Sequence, residues 1–395
     1  MRRFRFVYVL AFALAPVQAQ SLQVWPGERW ATAAPEDQGL NPASLDSLHD
    51  RIEAGVYGNI DRMVVVKGGF LVLDHAYDRD YLEISRGKRT AIGCGHDACP
   101  DETAESDPFN YLHPGTHPFY DFRAVHTLQS VTKSVAATLI GIALTQGIID
   151  SLGIGLLTFF DDYDLSRTDA RLREATLEDL LTMRTGIEWH EQDRPLDETN
   201  TTIQLERSSD WVQFTLDQPM DAAPGEKWGY NSGGSHLMSQ VIRDASGQHM
   251  HTFAEQHLFA PLRIPDYHWK KTPKGLADTE GGLYLEADQL AKIGYLYLRR
   301  GLWEDRRLLS EEFVDAAIAR QVESVNRAGW GYGYQWWRLD RDGIEVWAGL
   351  GFGGQYLFVL PAHDLIGVIN SWNVFGEQVA PISQAFLQAL IQAAE

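Results

Sequence analysis

The sequence predicts an α+β fold: an antiparallel β-sheet flanked by helices, with a mainly helical domain inserted into it. Three observations carry this expectation. Met63–Val66 and Phe70–Leu73 are short apolar runs around Lys67–Gly68–Gly69 and read as an early β-hairpin. Tyr332–Trp337, Ile344–Ala348, Gln355–Leu360 and Leu365–Ile369 are late β-type runs with tight connections, and tight connections make strand neighbours antiparallel. Between these groups, from about 156 to 275, strand signals are scarce and helical spacing prevails. A sheet drawn from both ends of the chain follows, with the helical insert lying against it. The expected division is a leader over 1–19, a discontinuous sheet domain over 20–155 and 276–395, and a helical domain over 156–275, with the active site between them.

Taken in order, the chain opens with Arg2, Arg3 and Arg5, an apolar run from Phe6 to Ala15, and Val17–Gln18–Ala19. That is the pattern of a secretory signal peptide cleaved near Ala19, and its apolar core is too short to span a bilayer. Asn41–Pro42 caps a helix carrying Leu45, Leu48 and Ile52 at helical spacing. Residues 85 to 125 are rich in turn formers and read as a long loop, an uncommon length unless the loop covers a site or is stapled. The apolar run from Val131 to Thr145 is the central helix, and Gly147 stands where a helix stop belongs. Thr176 and Asp179 make a capping box for the next short helix, whose apolar face is Leu180, Leu181 and Met183. Asp210–Trp211 starts another. Leu237, Met238, Val241 and Ile242 form the face of a helix closed by Gly247, and Leu290, Ile293 and Tyr297 that of an amphipathic helix over Ala287–Arg300. Pro361–Ala362–His363–Asp364 is the turn between the last two strands. Ile382, Phe386 and Leu390 mark the closing helix.

The formal net charge is −20, and about −23 once the leader arginines are gone. So acidic a surface argues against nucleic acid and anionic membranes as partners. No stretch after the leader is long and apolar enough to cross a bilayer, which leaves a periplasmic or secreted protein. Cys94 and Cys99 are the two cysteines. Export favours a small-loop disulfide between them. The Cys-x4-Cys spacing followed by His113 and His117 offers zinc as the lesser alternative.

The candidate chemistry lies at the start of the central helix. Between Val131 and Gln146 the only charged side chain is Lys133, on a helix apolar all round and therefore buried. Burial disfavours an ammonium and lowers its pKa, which makes a lysine a potential base. Ser130 stands one turn earlier, on the same face. At the helix start its Oγ lies near free backbone N–H groups that favour an oxyanion. A nucleophile, a base and oxyanion donors are the parts of acyl transfer, a reaction that needs neither metal nor organic cofactor.

Ser130-x-x-Lys133, the later Tyr230–Asn231–Ser232 and the late hairpin around Trp347–Gln355 together resemble the layout of serine β-lactamases and penicillin-binding proteins. The tyrosine in the second motif resembles the class C β-lactamase branch, with its esterases, D-peptidases and 6-aminohexanoate-dimer hydrolases. The resemblance extends over most of the mature chain, including Leu180–Gly186, Pro224–Gly225–Glu226 and Gly353–Gly354–Gln355. It implies that Ser130 forms an acyl-enzyme, that Lys133 takes or holds its proton, and that Tyr230 shares the base work and protonates the leaving group. It places the oxyanion hole at the N–H of Ser130 and one N–H from Gly349 to Gly351, with Asn231, Ser232 and Trp347 as substrate-side residues.

Two departures from that pattern matter. Tyr-x-Asn is replaced by Tyr230–Asn231–Ser232, so a serine stands where an amide would face the substrate. No Lys-Thr-Gly occurs near the late hairpin, which removes a fixed positive charge for a substrate carboxylate. The expectation is therefore an exported serine hydrolase acting on a small ester or linear amide. β-Lactamase or D-amino-acid-specific peptidase activity is the alternative, and a penicillin-recognising sensor that acylates without turnover is the alternative of another class. An unused buried charge costs stability, so Lys133→Met is expected to stabilise the protein and abolish activity. Of the tryptophans near the late strands, Trp330, Trp336, Trp337 and Trp347, most are expected to be core.

Overall fold

The computed structural model describes residues 23–99, 107–323, 327–341, 343–376 and 379–395; the expected leader and its cleavage point lie outside them. Among the described residues no helix is long and apolar enough to cross a membrane.

A nine-stranded sheet organises the structure. Its strands are β1 (Ala31–Thr32), β2 (Ile60–Lys67), β3 (Phe70–Ala76), β4 (Val322–Glu323), β5 (Trp330–Tyr332), β6 (Trp337–Arg341), β7 (Ile344–Gly351), β8 (Gln355–Leu360) and β9 (Leu365–Ser371). They lie in the order β1-β3-β2-β9-β8-β7-β6-β5-β4. Every pairing is antiparallel except that of the two-residue β1 with β3. The two ends of the chain meet in mid-sheet, where Ile366, Gly367 and Val368 stand opposite Val66, Val65 and Val64. β-branched runs such as Val64–Val66 suit a pleated surface buried on both faces.

Alternation along the strands divides the core. Val64, Val359, Ile366 and Val368 pack on one face with helices α2 (Val131–Thr145) and α4 (Ala287–Leu298). Met63, Val65, Phe358 and Ile369 pack on the other with α1 (Ala43–Glu53) and α5 (Ile382–Ala394). The chain between α2 and α4 adds no strand to the large sheet; it carries short helices and the longer α3 (Ser232–Ser246). The capping box of Thr176 and Asp179 forms as expected. His268–Trp269, read as part of a helical region, instead joins a three-stranded ribbon with Leu283–Leu285 and His126–Thr127.

The expected strand over Tyr332–Trp337 is corrected: β5 ends at Tyr332, β6 begins at Trp337, and the residues between form their connection. Gln335 adopts a left-handed φ of 58°. Gly333 passes so close to the Ala317 carbonyl that a Cβ would overlap it. Apolar β-prone residues masked a turn that tertiary packing dictates.

Candidate active site

Helix α2 is buried along nearly its whole length, from Val131 to Ala143. Neighbours clamp its first turn. Thr132 Oγ1 accepts from the Leu283 N–H, and Ser134 Oγ donates to the Gln335 carbonyl. Gly349 of β7 passes where a Cβ would lie 2.8 Å from Val131, so glycine permits the close approach of strand and helix. Gln129 takes a left-handed φ of 47° just before the helix, a strained turn that sets Ser130 at its tip. Ser130 occupies the N-cap position, where the N–H has no helical partner.

The Lys133 ammonium donates to Ser130 Oγ at 2.9 Å and to the Glu280 carbonyl at 2.6 Å, and pairs with Glu280 Oε2 at 3.4 Å. Lys133 is 1 % exposed. Glu280 is set by Asp278, whose Oδ1 accepts from the N–H groups of Glu280 and Gly281 at 3.0 and 3.1 Å. Tyr230 lies beside the Ser130 side chain, stacks on Trp337 with centroids 6.0 Å apart, and has Lys133 Nζ 5.4 Å from its ring centre. The structure thus brings Ser130, Lys133 and Tyr230 together.

The electrostatics overturn one expectation. Burial alone depresses the Lys133 pKa, but negative charge at Tyr230, Glu280, Glu191 and Asp278 outweighs it and the net direction is upward. The carbonyl and carboxylate of Glu280 both face the lysine nitrogen and favour its charged form. Burial likewise pushes the Tyr230 phenol up, against the pull of Lys133 and of the Ser130 side chain.

Other expected positions fall elsewhere. Asn231 is the N-cap of α3, its Oδ1 accepting from the Gly234 N–H. Ser232 is fully buried and both its N–H and Oγ donate to Glu191, which itself lines the cleft with Ser130. Trp347 belongs to the core on the α2 side, its indole donating to Glu345. Trp336 is also core; Trp337 belongs to the core on the other face of the sheet and also lines the cleft.

Strand register bears on the third motif. The Gly351 carbonyl accepts from the Gly354 N–H within the β7–β8 turn, so Gly351 directs its backbone groups toward β8. Strand alternation turns those of Leu350 the other way. Pairing between β6 and β7 stops at Trp337 and Ala348, which leaves Leu350 on a free edge. Leu350, between the two expected glycines, lines the same cleft as Ser130 and Tyr230.

Sequence reasoning missed Glu191 and Glu280, which had no motif to mark them, and Arg327. Arg327 lies over the rings of Trp330 and Trp337 at 5.9 and 5.1 Å, and lines a cleft of about 280 Å³ with Ser130, Tyr230 and Trp337. A cation therefore does reach the site, from a different segment than the absent lysine. Cys94 and Cys99 form a disulfide. His117, of the alternative zinc set, lies instead against Lys270 and Tyr284. Among the described residues no group of three or more His, Cys, Asp or Glu side chains is arranged to hold a metal ion.

Comparison with known proteins agrees with this architecture. The 6-aminohexanoate-dimer hydrolase of Paenarthrobacter ureafaciens is 23% identical over 268 residues, 62% of this chain and 66% of that protein. A Bacillus anthracis structure provisionally assigned as a 6-aminohexanoate-dimer hydrolase superposes with a TM-score of 0.68 at 17% identity, covering 94% of this chain and 88% of that one. A family VIII carboxylesterase gives 0.60 at 14% identity, covering 92% and 98%. The family model described as Beta-lactamase matches residues 62–390, and the chain belongs to that family of β-lactamase-fold serine hydrolases.

Proposed function

We propose that the protein is an exported hydrolase that cleaves an ester or linear amide through an acyl-Ser130 intermediate. The observation that carries this reading is the 2.9 Å contact between a fully buried Lys133 ammonium and Ser130 Oγ, on a serine that opens into a cleft. The disulfide suits an oxidising compartment.

Because Glu280 pins Lys133 as an ammonium, Tyr230 is assigned as the base. Loss of one proton from the pair leaves a phenolate beside the ammonium. Tyr230 takes the Ser130 proton as Oγ attacks the substrate carbonyl carbon. The developing oxyanion sits between the N–H groups of Ser130 and Leu350. The bond to the leaving oxygen or nitrogen then breaks as Tyr230 returns the proton to that atom. Water repeats the sequence: its proton passes to Tyr230, its oxygen bonds the acyl carbon, and Ser130 leaves and is reprotonated.

Arg327 favours a second reading, in which the substrate carries a carboxylate, as β-lactams and D-peptides do. Side-by-side turnover of p-nitrophenyl esters, nitrocefin and D-Ala–D-Ala peptides separates the two. Ester turnover that vanishes in Ser130→Ala supports the first reading, and nitrocefin turnover exceeding that of esters replaces it with the second. A Ser130 adduct that persists by intact mass without product release would make the protein a sensor and sink both.

A further inference from the structure

A cavity of about 500 Å³ lies on the α5 side of the sheet, between strands β5 to β8 and the first turns of α5. Trp330, Leu339, Phe358 and Leu387 give it an apolar wall. Two arginines, Arg327 and Arg341, reach the same space, and among the described residues no acidic side chain lines it. The carboxylate next along the chain, Asp340, is taken by Arg320 and Arg338 at 3.3 and 3.2 Å. The pocket is thus cationic in a chain whose formal net charge is −20. Protein cores leave few voids larger than a water molecule. An opening of this size between a sheet and its covering helix is therefore a pocket rather than a packing fault. Its volume suits a small organic molecule, and its lining is of the kind that binds one, apolar with a few polar groups to fix orientation.

Arg327 and Leu350 line both this pocket and the catalytic cleft, so they form the wall between the two. Ser130 and Tyr230 line the cleft alone. We propose that the pocket is a second ligand site, separate from the substrate cleft, for a small amphiphile with an apolar chain and one carboxylate. The chain lies against Leu339, Phe358 and Leu387. The carboxylate meets the arginines, Arg341 first because it serves this pocket and not the cleft; a guanidinium fork matches a carboxylate in shape and charge. Hydrolysis of an apolar ester or amide releases an acid of this class, so the ligand resembles a product of the reaction. Leu350 has its side chain in the pocket wall and its backbone N–H assigned to the oxyanion. A ligand that shifts the side chain shifts the N–H, and binding therefore lowers kcat without competing for the cleft. The effect on kcat rests on the acyl-Ser130 reading; the binding does not.

The test uses octanoate and 1-octanol, which share a chain and differ in charge. Titration calorimetry on the wild-type protein is expected to show octanoate the tighter by at least about tenfold, the scale of one charge-assisted hydrogen bond. Arg341→Gln is expected to weaken octanoate at least about fivefold and leave 1-octanol unchanged. Leu387→Trp fills the pocket without touching the cleft and is expected to abolish binding of both; should it fold poorly, Arg341→Gln decides. Capture of Ser130 by a phosphonate fills the cleft and is expected to leave octanoate binding intact. With p-nitrophenyl acetate as substrate, octanoate is expected to lower kcat at unchanged KM. Equal affinity for octanoate and 1-octanol, or affinity unchanged in Arg341→Gln, overturns the site. Octanoate displaced by the phosphonate, or purely competitive, sits in the cleft and overturns it equally. Full kcat at saturating octanoate overturns the coupling through Leu350. Absence of Ser130-dependent ester turnover overturns the hydrolase reading, and the calorimetry still decides the pocket.

Discussion

The backbone carbonyl of Glu280 accepts from the Lys133 ammonium at 2.6 Å, across 147 residues of sequence. The same residue's carboxylate lies 3.4 Å from that ammonium. Lys133 is thus paired rather than stranded. The burial that made it look like an unused charge is compensated by a residue the motif does not contain.

That pairing reverses one expectation from sequence. Lys133→Met should destabilise the protein, because it leaves the Glu280 carboxylate buried and unpaired, at a cost of about 3–5 kcal/mol. Urea unfolding reads the change in midpoint. Ester hydrolysis should fall by about 10²–10⁴-fold. A variant as stable as wild type, or one with full activity, contradicts the assignment.

The pKa directions at Lys133 and Tyr230 are both upward, which favours the protonated form of each. Catalysis needs one of them gone. The reactive fraction therefore grows as pH rises, and kcat/KM for a neutral ester should still be climbing at roughly pH 9. A plateau already reached near neutrality would mean a base with an ordinary or lowered pKa.

Asp278 acts through Glu280, as a positioning residue. Its carboxylate holds two successive N–H groups and thereby aims the Glu280 carbonyl at Lys133. Asp278→Asn keeps the shape but weakens those acceptor bonds. The expected result is a fall in kcat of about ten- to hundredfold with KM little changed. A purely structural role would instead lower the amount of folded enzyme and leave kcat per folded molecule intact.

Gly351 tests the strand edge. A Cβ there would sit 2.6 Å from the Leu128 carbonyl oxygen, which is backbone and cannot swing aside. Gly351→Ala should push β7 off the start of α2, costing about 1–3 kcal/mol and widening the gap between the Ser130 and Leu350 N–H groups. Thermal unfolding reads the first effect. A drop in kcat on the folded enzyme reads the second.

Much of this was legible along the chain. The fully apolar run over 131–145 announced a buried helix, and its single charge marked Lys133. Ser130 followed from helical spacing, and the family order of motifs added Tyr230. The hairpin at Gly68–Gly69 and the late strands announced the sheet. Asn231 and Ser232 also start a helix, and a helix start and a substrate contact draw on the same polar residue types. Trp347 and Trp337 could not be told apart, since either suits a strand. The break between β5 and β6 was hidden in a run of aromatic residues.

By itself the sequence determined which segments would be helix or strand, that Ser130 and Lys133 would share one face, and that Tyr230 would join them, because these follow from local periodicity and motif order. Only the tertiary structure decided the partners of Lys133, the free edge at Leu350, the arrival of Arg327 and the gathering of Glu191, Glu206 and Glu280. Charge states and cavities depend on distances between side chains far apart in the chain, and those distances exist only once the sheet has closed around the central helix.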